Sequence, residues 1–334
     1  MNQSFVNVSR VKRLDGVAIP AFIRNGQYFF VDLHVFEDGV VECWELTDLP
    51  LFGQKLQKGW VRVAVPDGES ISIHGLGAWK IAQSRWLYDA NRFYEHVLSL
   101  VKEMNPSMSN LYQYRERKIN GVIIGENAKG QPYREKKPGE IFSERVKGSS
   151  TTVFYQQRNQ YYLAELTVFA DESVEISRLP QKEILSLPQL STSIQQGTVR
   201  TQLPAGTSVE IFGLGSFVVQ HEEYSTSIED KFLEVKDAIE ELNGRPTSIQ
   251  RCRQLFEEYL QTPTLTLKNQ LRMAYEAIPI HQRMYVGDMD TKDTAVRMII
   301  YGKQELKKWS HYQMAKKMGL PLPSIQVPKP KDDK

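Results

Sequence analysis

Residues 59–81, GWVRVAVPDGESISIHGLGAWKI, lie without a gap over residues 197–219, GTVRTQLPAGTSVEIFGLGSFVV, and ten of the 23 positions are identical. The chain contains a copy of itself. Upstream, QYFFVDLHVFEDGVVECWEL at 27–46 lies over QYYLAELTVFADESVEISRL at 160–179 with nine identities in 20. The offset changes from 133 to 138, so five extra residues belong in the loop between the two blocks. Arg10-Val11-Lys12 matches Arg145-Val146-Lys147, and the second offset continues to Asn105 over Asn243. A period this long marks duplicated domains rather than a solenoid of short repeats.

Within a unit, Phe29, Val31, Leu33 and Val35 alternate with more polar neighbours, and Tyr162, Ala164, Leu166 and Val168 keep that face in the second copy. Such alternation predicts a half-buried strand. Val41 and Cys43 continue the rule over Val174 and Ile176, which gives Cys43 a core slot rather than a reactive one. Three further strands follow, WVRVAV, SISIH and AWKIA in the first copy, and then an apolar stripe of helical spacing ending near Met104, matched by Phe232, Val235, Ile239 and Leu242. The expected class is therefore α+β: two duplicated small antiparallel β-barrel or sandwich modules, each closed by a helix, followed by an α-helical domain. Glu42 with Arg62, and Glu175 with Arg200, take the outward parity and are expected to pair across neighbouring strands.

A Gly-Leu-Gly run invites the reading of a phosphate cradle, which needs backbone amides at the start of a helix. The residues that follow, Ala-Trp-Lys-Ile and Ser-Phe-Val-Val, read as strand in both copies. The glycines are expected to make a tight hairpin instead. His74 precedes the first turn, but Phe212 stands in its place in the second, so it belongs to no shared site.

These readings divide the chain into a first repeat at 9–105, a glycine- and charge-rich linker with an added hairpin at 106–143, a second repeat at 144–243, a helical domain at 244–320 and an extended, proline-spaced tail at 321–334. In the helical domain Thr247 or Ser248 caps a first helix, a second runs from about 266 to 277, and a longer one spans about 291–318 with a kink at Gly302.

Hydrophobic residues at 41% and charged residues at 25% give the ordinary globular balance. The opening has no apolar stretch of signal-peptide length, and no window approaches the roughly 18 apolar residues of a membrane span. Cytoplasmic residence without a membrane partner is expected. Cys43 and Cys252, the two cysteines, are too few for a disulfide framework. The net charge of +2 hides a segregation: eight acidic residues and two lysines from Glu222 to Glu241, against nine basic and three acidic residues from Arg297 onward.

Two constellations carry possible chemistry. His281 precedes Asp288, Asp290 and Asp293 in a loop that leads into a helix, a grouping able to hold a divalent metal that activates water. An EF-hand register from Asp288 fails, because its twelfth position is Ile299. The plainer reading is that Asp290 or Thr291 caps the long helix and Asp293 complements its dipole. The second group, Lys303, Lys307, Lys308, Trp309, His311, Tyr312, Lys316 and Lys317, joins phosphate-neutralising lysines to aromatic rings and forms the candidate partner-binding surface. Lys303 and Lys307 have the spacing of a solvated helix face as well.

Neither repeat offers a Ser-His-Asp or Cys-His arrangement. The expected function is that of a non-enzymatic, cytoplasmic binding or scaffold protein acting through protein-protein contacts, with no cofactor. A nucleic-acid-binding accessory factor using the basic C-terminal helix is one alternative. A metal-dependent hydrolase using the His281, Asp288 and Asp290 loop is the other.

Overall fold

The computed structural model describes residues 16–109, 111–120, 122–127 and 148–331. The first residues assigned to each repeat, 9–15 and 144–147, and the last three of the tail lie outside them.

The same order of elements occurs twice. The first copy runs β1 (Gly16–Asn25), β2 (Gln27–Phe36), β3 (Val41–Glu42), β4 (Leu46–Thr47), α1 (Leu49–Gln57), β5 (Val61–Arg62), β6 (Ser70–Ile73), β7 (Gly77–Trp86) and α2 (Ala90–Met104). A separate antiparallel hairpin, β8 (Tyr114–Ile119) with β9 (Val122–Asn127), precedes the second copy. That copy runs β10 (Gly148–Gln157), β11 (Gln160–Phe169), β12 (Ser173–Ser177), β13 (Glu183–Ser186), α3 (Leu187–Gln195), β14 (Val199–Arg200), β15 (Ser208–Ile211), β16 (Gly215–Ser225) and α4 (Ile228–Leu242).

No barrel closes. The strands of both copies join one 14-stranded sheet, because β7 and β16 pair antiparallel along their whole length. Two expectations fail with the barrels. The pairs β2 with β6 and β11 with β15 are parallel, each made by a crossover that contains a helix. Each copy also holds two helices rather than one. The extra ones, α1 and α3, start at Asp48-Leu-Pro and Ser186-Leu-Pro, with the Asp48 carboxylate accepting from Leu51 N at 2.8 Å and Ser186 forming a capping box with Gln189. A cap followed by proline in the first turn is a helix start that an alternating β pattern on either side conceals. The five inserted residues lengthen the turn from β12 into β13.

Strand order also corrects the outward ion pairs. In the order β5-β1-β2-β3, two strands lie between Arg62 and Glu42. Glu42 instead meets His34 at 3.2 Å, and Glu175 meets Lys182 at 3.1 Å. Arg62 and Arg200 do share one role: each Nε donates to the carbonyl of the turn glycine three residues earlier, Gly59 at 2.9 Å and Gly197 at 2.8 Å.

The expected half-buried alternation of β2 holds only at its far end, where Leu33 and Val35 are buried and His34 is exposed. At its start Tyr28 and Phe30, on the opposite parity, are buried as well. Residues of the second copy, Phe154, Leu163, Ile211, Leu214 and Phe217, belong to the same core, and Trp79 meets Phe154 edge-on at 5.0 Å. A smaller core fills the other face of β11, from Ala164, Leu166, Val168 and Ile176 to Val235 and Ile239. Cys43 and Ile176 are both buried, and burial raises the pKa of the Cys43 thiol.

The two Gly-Leu-Gly runs make hairpin turns that lead straight into β7 and β16. Gly75 and Gly213 sit at φ 68° and 79°, and Gly77 and Gly215 at 153° and 151°. A side chain at Gly77 would run into the Tyr224 carbonyl of the other copy, and one at Gly215 into that of Arg85. The first glycine of each pair turns the chain; the second lets the two repeats touch.

Beyond α4 come α5 (Ser248–Gln261), α6 (Leu265–Glu276), a 3-10 turn at Ile280–Tyr285, α7 (Thr294–Tyr301), a second 3-10 turn at Lys303–Lys308 and α8 (Ser310–Met318). Cys252, Tyr259, Leu271, Tyr275, Val296 and Ile299 form their core, and burial pushes the Cys252 thiol up to about 12. The long helix expected over 291–318 is three pieces. Gly302 at φ 106° ends α7, and Trp309 with extended backbone starts α8. The tail folds back on this module: Pro328 O accepts from the Tyr259 hydroxyl at 3.2 Å, and Lys331 N donates to Pro263 O at 2.8 Å. Among the described residues no helix is long and apolar enough to cross a membrane.

Candidate functional site

Four of the acidic side chains on α4 attach the helical module. Asp230 Oδ1 accepts from Ile280 N at 3.0 Å, and Glu234 Oε1 lies 3.0 Å from His281 Nε2. Asp237 Oδ1 accepts from Ser248 N at 2.7 Å, and Glu240 takes Arg245 at 3.1 Å and Arg251 at 3.4 Å. These positions recur every three or four residues, so one stripe of the helix faces the module. Four acids of the run are thus internal contacts, made with residues 245–281 and not with the basic stretch from Arg297 onward.

Where this seam meets the two repeats there is a cleft of about 660 Å³. Its walls come from Phe30, Val31 and Asp32 of β2, Trp44, the turn at Ile73–Gly75, residues 149–152 of β10, Lys231, Glu234 and Val235 of α4, and His281. Leu166 and Val168 add to its apolar lining. This size is typical of ligand sites, which run roughly 300–1,000 Å³.

Lys231 anchors the cleft. Its side chain is 2% exposed, and Nζ donates to Gly75 O at 2.6 Å, Thr151 Oγ1 at 3.1 Å and Glu234 Oε2 at 2.5 Å. An ammonium has three donors, and all three are used. The first repeat has Phe93 at this helix position, so the lysine is particular to the second copy. It ties repeat 2 to the first Gly-Leu-Gly turn, while Glu234 carries the chain of contacts on to His281. On the opposite wall Asp32 Oδ2 pairs with Arg178, which arrives from the β12–β13 turn of the other repeat. Asp32 Oδ1 is buried without a hydrogen bond.

The four residues of the alternative metal reading are not brought together. His281 lies at the cleft mouth against Glu234. Asp288 Oδ1 instead accepts from Asp290 N at 3.0 Å, Thr291 N at 2.6 Å and Thr291 Oγ1 at 2.8 Å, and the Thr291 backbone bond leads in holding its carboxyl below the usual carboxylate range. Asp293 Oδ2 accepts from the Tyr275 hydroxyl at 2.5 Å and faces Arg297 at 3.4 Å. Burial first, and Asp293 second, push the pKa of that tyrosine up. Among the described residues no three His, Cys, Asp or Glu side chains form a metal-holding group.

Capping also differs from the expectation. Asp288, not Asp290 or Thr291, makes the side-chain bonds that shape the approach to α7, and Asp293 sits at the N-cap without a side-chain cap bond. Alanine at Asp288 is therefore expected to lower the thermal midpoint, while alanine at Asp290, whose carbonyl rather than carboxylate is used, leaves it unchanged. Equal melting of the two variants would remove the assignment. Since Asp288 titrates below its unfolded value, its contribution is present above the unfolded pKa and is lost as pH falls through the folded one.

On the basic end Lys303, Lys307, Lys316 and Lys317 are exposed, and Lys308 pairs with Glu305 at 2.7 Å. Trp309 is buried, donating from Nε1 to Asp290 O at 2.9 Å, with His311 tilted against it and Tyr312 half-buried. That indole is core and offers no stacking platform.

Sequence reading missed Asp32, Trp44, Lys231 and Glu234. The one legible signal was a lysine in an apolar helical stripe where the other copy has phenylalanine.

The family described as Domain of unknown function (DUF7638) matches residues 5–108 and again 136–246, and that described as Domain of unknown function (DUF7639) matches 247–322. Comparison with curated proteins and with solved structures returns no match.

Proposed function

The chain belongs to the DUF7638 family, whose domain it carries twice, and from that premise we propose that it is a non-enzymatic binding or scaffold protein of the cytoplasm acting through protein-protein contacts. One observation carries the reading: the charged side chains of the central cleft are engaged with each other. Lys231 is held by Glu234, Asp32 by Arg178 and His281 by Glu234. A general acid, base or nucleophile has to reach a substrate, and charged groups paired in this way hold elements together, the one unpaired oxygen among them, Asp32 Oδ1, being buried. An apolar lining with neutral hydroxyls beside it suits a surface that is covered.

The exposed lysines 303, 307, 316 and 317 favour a second reading, nucleic acid bound by its phosphates. Affinity capture of the tagged full chain from its native cells, with and without nuclease and across a salt series, separates the two. A protein that survives nuclease, whose crosslinks map to the cleft walls, supports the first reading. Capture lost on nuclease treatment, falling steeply with salt and with reversal of charge at Lys307, overturns it.

A further inference from the structure

β10 is paired along its length by β11, but its other edge meets β14 only at Phe154 and Tyr155. Gln156 N donates to Thr198 O on that side, so by the alternation of a strand Ser150 and Thr152 direct their N–H and C=O groups to the same edge. Among the described residues no strand takes them. All four residues from 149 to 152 line the cleft, both parities together, which happens when a strand presents its edge rather than a face.

The first repeat treats the equivalent edge differently. Pro20 stands where the second has Thr152, and proline has no N–H to leave unpaired. The opposite cleft wall is open as well. In repeat 2 the pairing of β11 with β12 reaches Glu165 with Ser177, whereas in repeat 1 β2 pairs with β3 only as far as His34 with Glu42. Trp44, at φ 63°, turns the chain away and leaves Asp32 without the partner its counterpart has.

We propose that the cleft accepts an extended peptide of a partner protein, which adds as a strand to the β10 edge at Ser150 and Thr152. Backbone groups on the slot call for an extended backbone, and the half-buried Val31 with the exposed Trp44 of the opposite wall gives its side chains apolar surface. The inference rests on the protein-binding reading of the preceding subsection and names its partner class.

The test is selection of a displayed random heptapeptide library on the full chain, followed by amide exchange and by Thr152→Pro, which copies the other repeat at a donor the fold leaves unused. Enriched peptides are expected to slow exchange at Ser150 and Thr152 and to lose about fivefold or more in affinity for Thr152→Pro at unchanged melting temperature. No enrichment, or equal binding by the variant, overturns the slot. If the variant melts early, exchange on the wild type decides: unslowed Ser150 and Thr152 amides at saturating peptide overturn it. Protection that appears without peptide as the protein is concentrated would replace the peptide by a second copy of this chain. A captured partner that still binds Thr152→Pro would sink the slot and leave the broader reading standing.

Discussion

Alanine at Gly77 or Gly215 is expected to cost about 3 kcal/mol or more, or to prevent folding, as a steric clash in a glycine-only conformation does. Both glycines have φ near 150°, and a Cβ on either meets a backbone carbonyl of the opposite repeat, an atom that cannot swing aside. Gly213 is the internal control. It is left-handed at φ 79°, but nothing lies within 4 Å of where its Cβ would be. Its replacement carries only the left-handed penalty, about 1–2 kcal/mol. Urea unfolding of the three variants checks this, and a Gly77→Ala variant no weaker than Gly213→Ala would mean that β7 and β16 do not meet.

Glu234→Ala is expected to destabilise by about 3–5 kcal/mol, because it strands the Lys231 ammonium in the interior with only neutral acceptors, Gly75 O and Thr151 Oγ1. Lys231→Met should cost much less. Its site already suits an apolar side chain, as Phe93 shows in the other copy, and Glu234 keeps His281. The double variant Lys231→Met with Glu234→Gln should regain most of the loss, since a well-packed apolar replacement of a buried pair is often near neutral. Chemical denaturation of all three forms the test. A double variant as weak as Glu234→Ala would show that the lysine's charge is not what the glutamate serves.

Much of the helical module was legible because its signals act within a few residues. Thr247 caps α5 and forms a capping box with Gln250, as the spacing suggests. Gly302 interrupts the last helix. The cap of α7 was misread because Asp288, Asp290 and Thr291 are all competent acceptors, and only the path of the loop decides which oxygen meets the free amides. The central cleft left almost no trace, since its walls come from β2, β10, α4 and the turn at His281, which are far apart in the chain.

By itself the sequence determined the duplication, the helix that closes each copy and the need for a turn at each Gly-Leu-Gly, since identity between segments and positive φ at glycine are properties of a few residues at a time. Only the tertiary structure decided that the copies merge into one sheet through β7 and β16. Pairing between strands uses backbone groups that every residue carries, and its sole mark in the sequence is the absence of a side chain at Gly77 and Gly215. The acidic run of α4 likewise looks the same whether water or protein covers it. What Asp230 and Asp237 bind are the amides of Ile280 and Ser248, whose availability depends on where those helix and loop ends are placed.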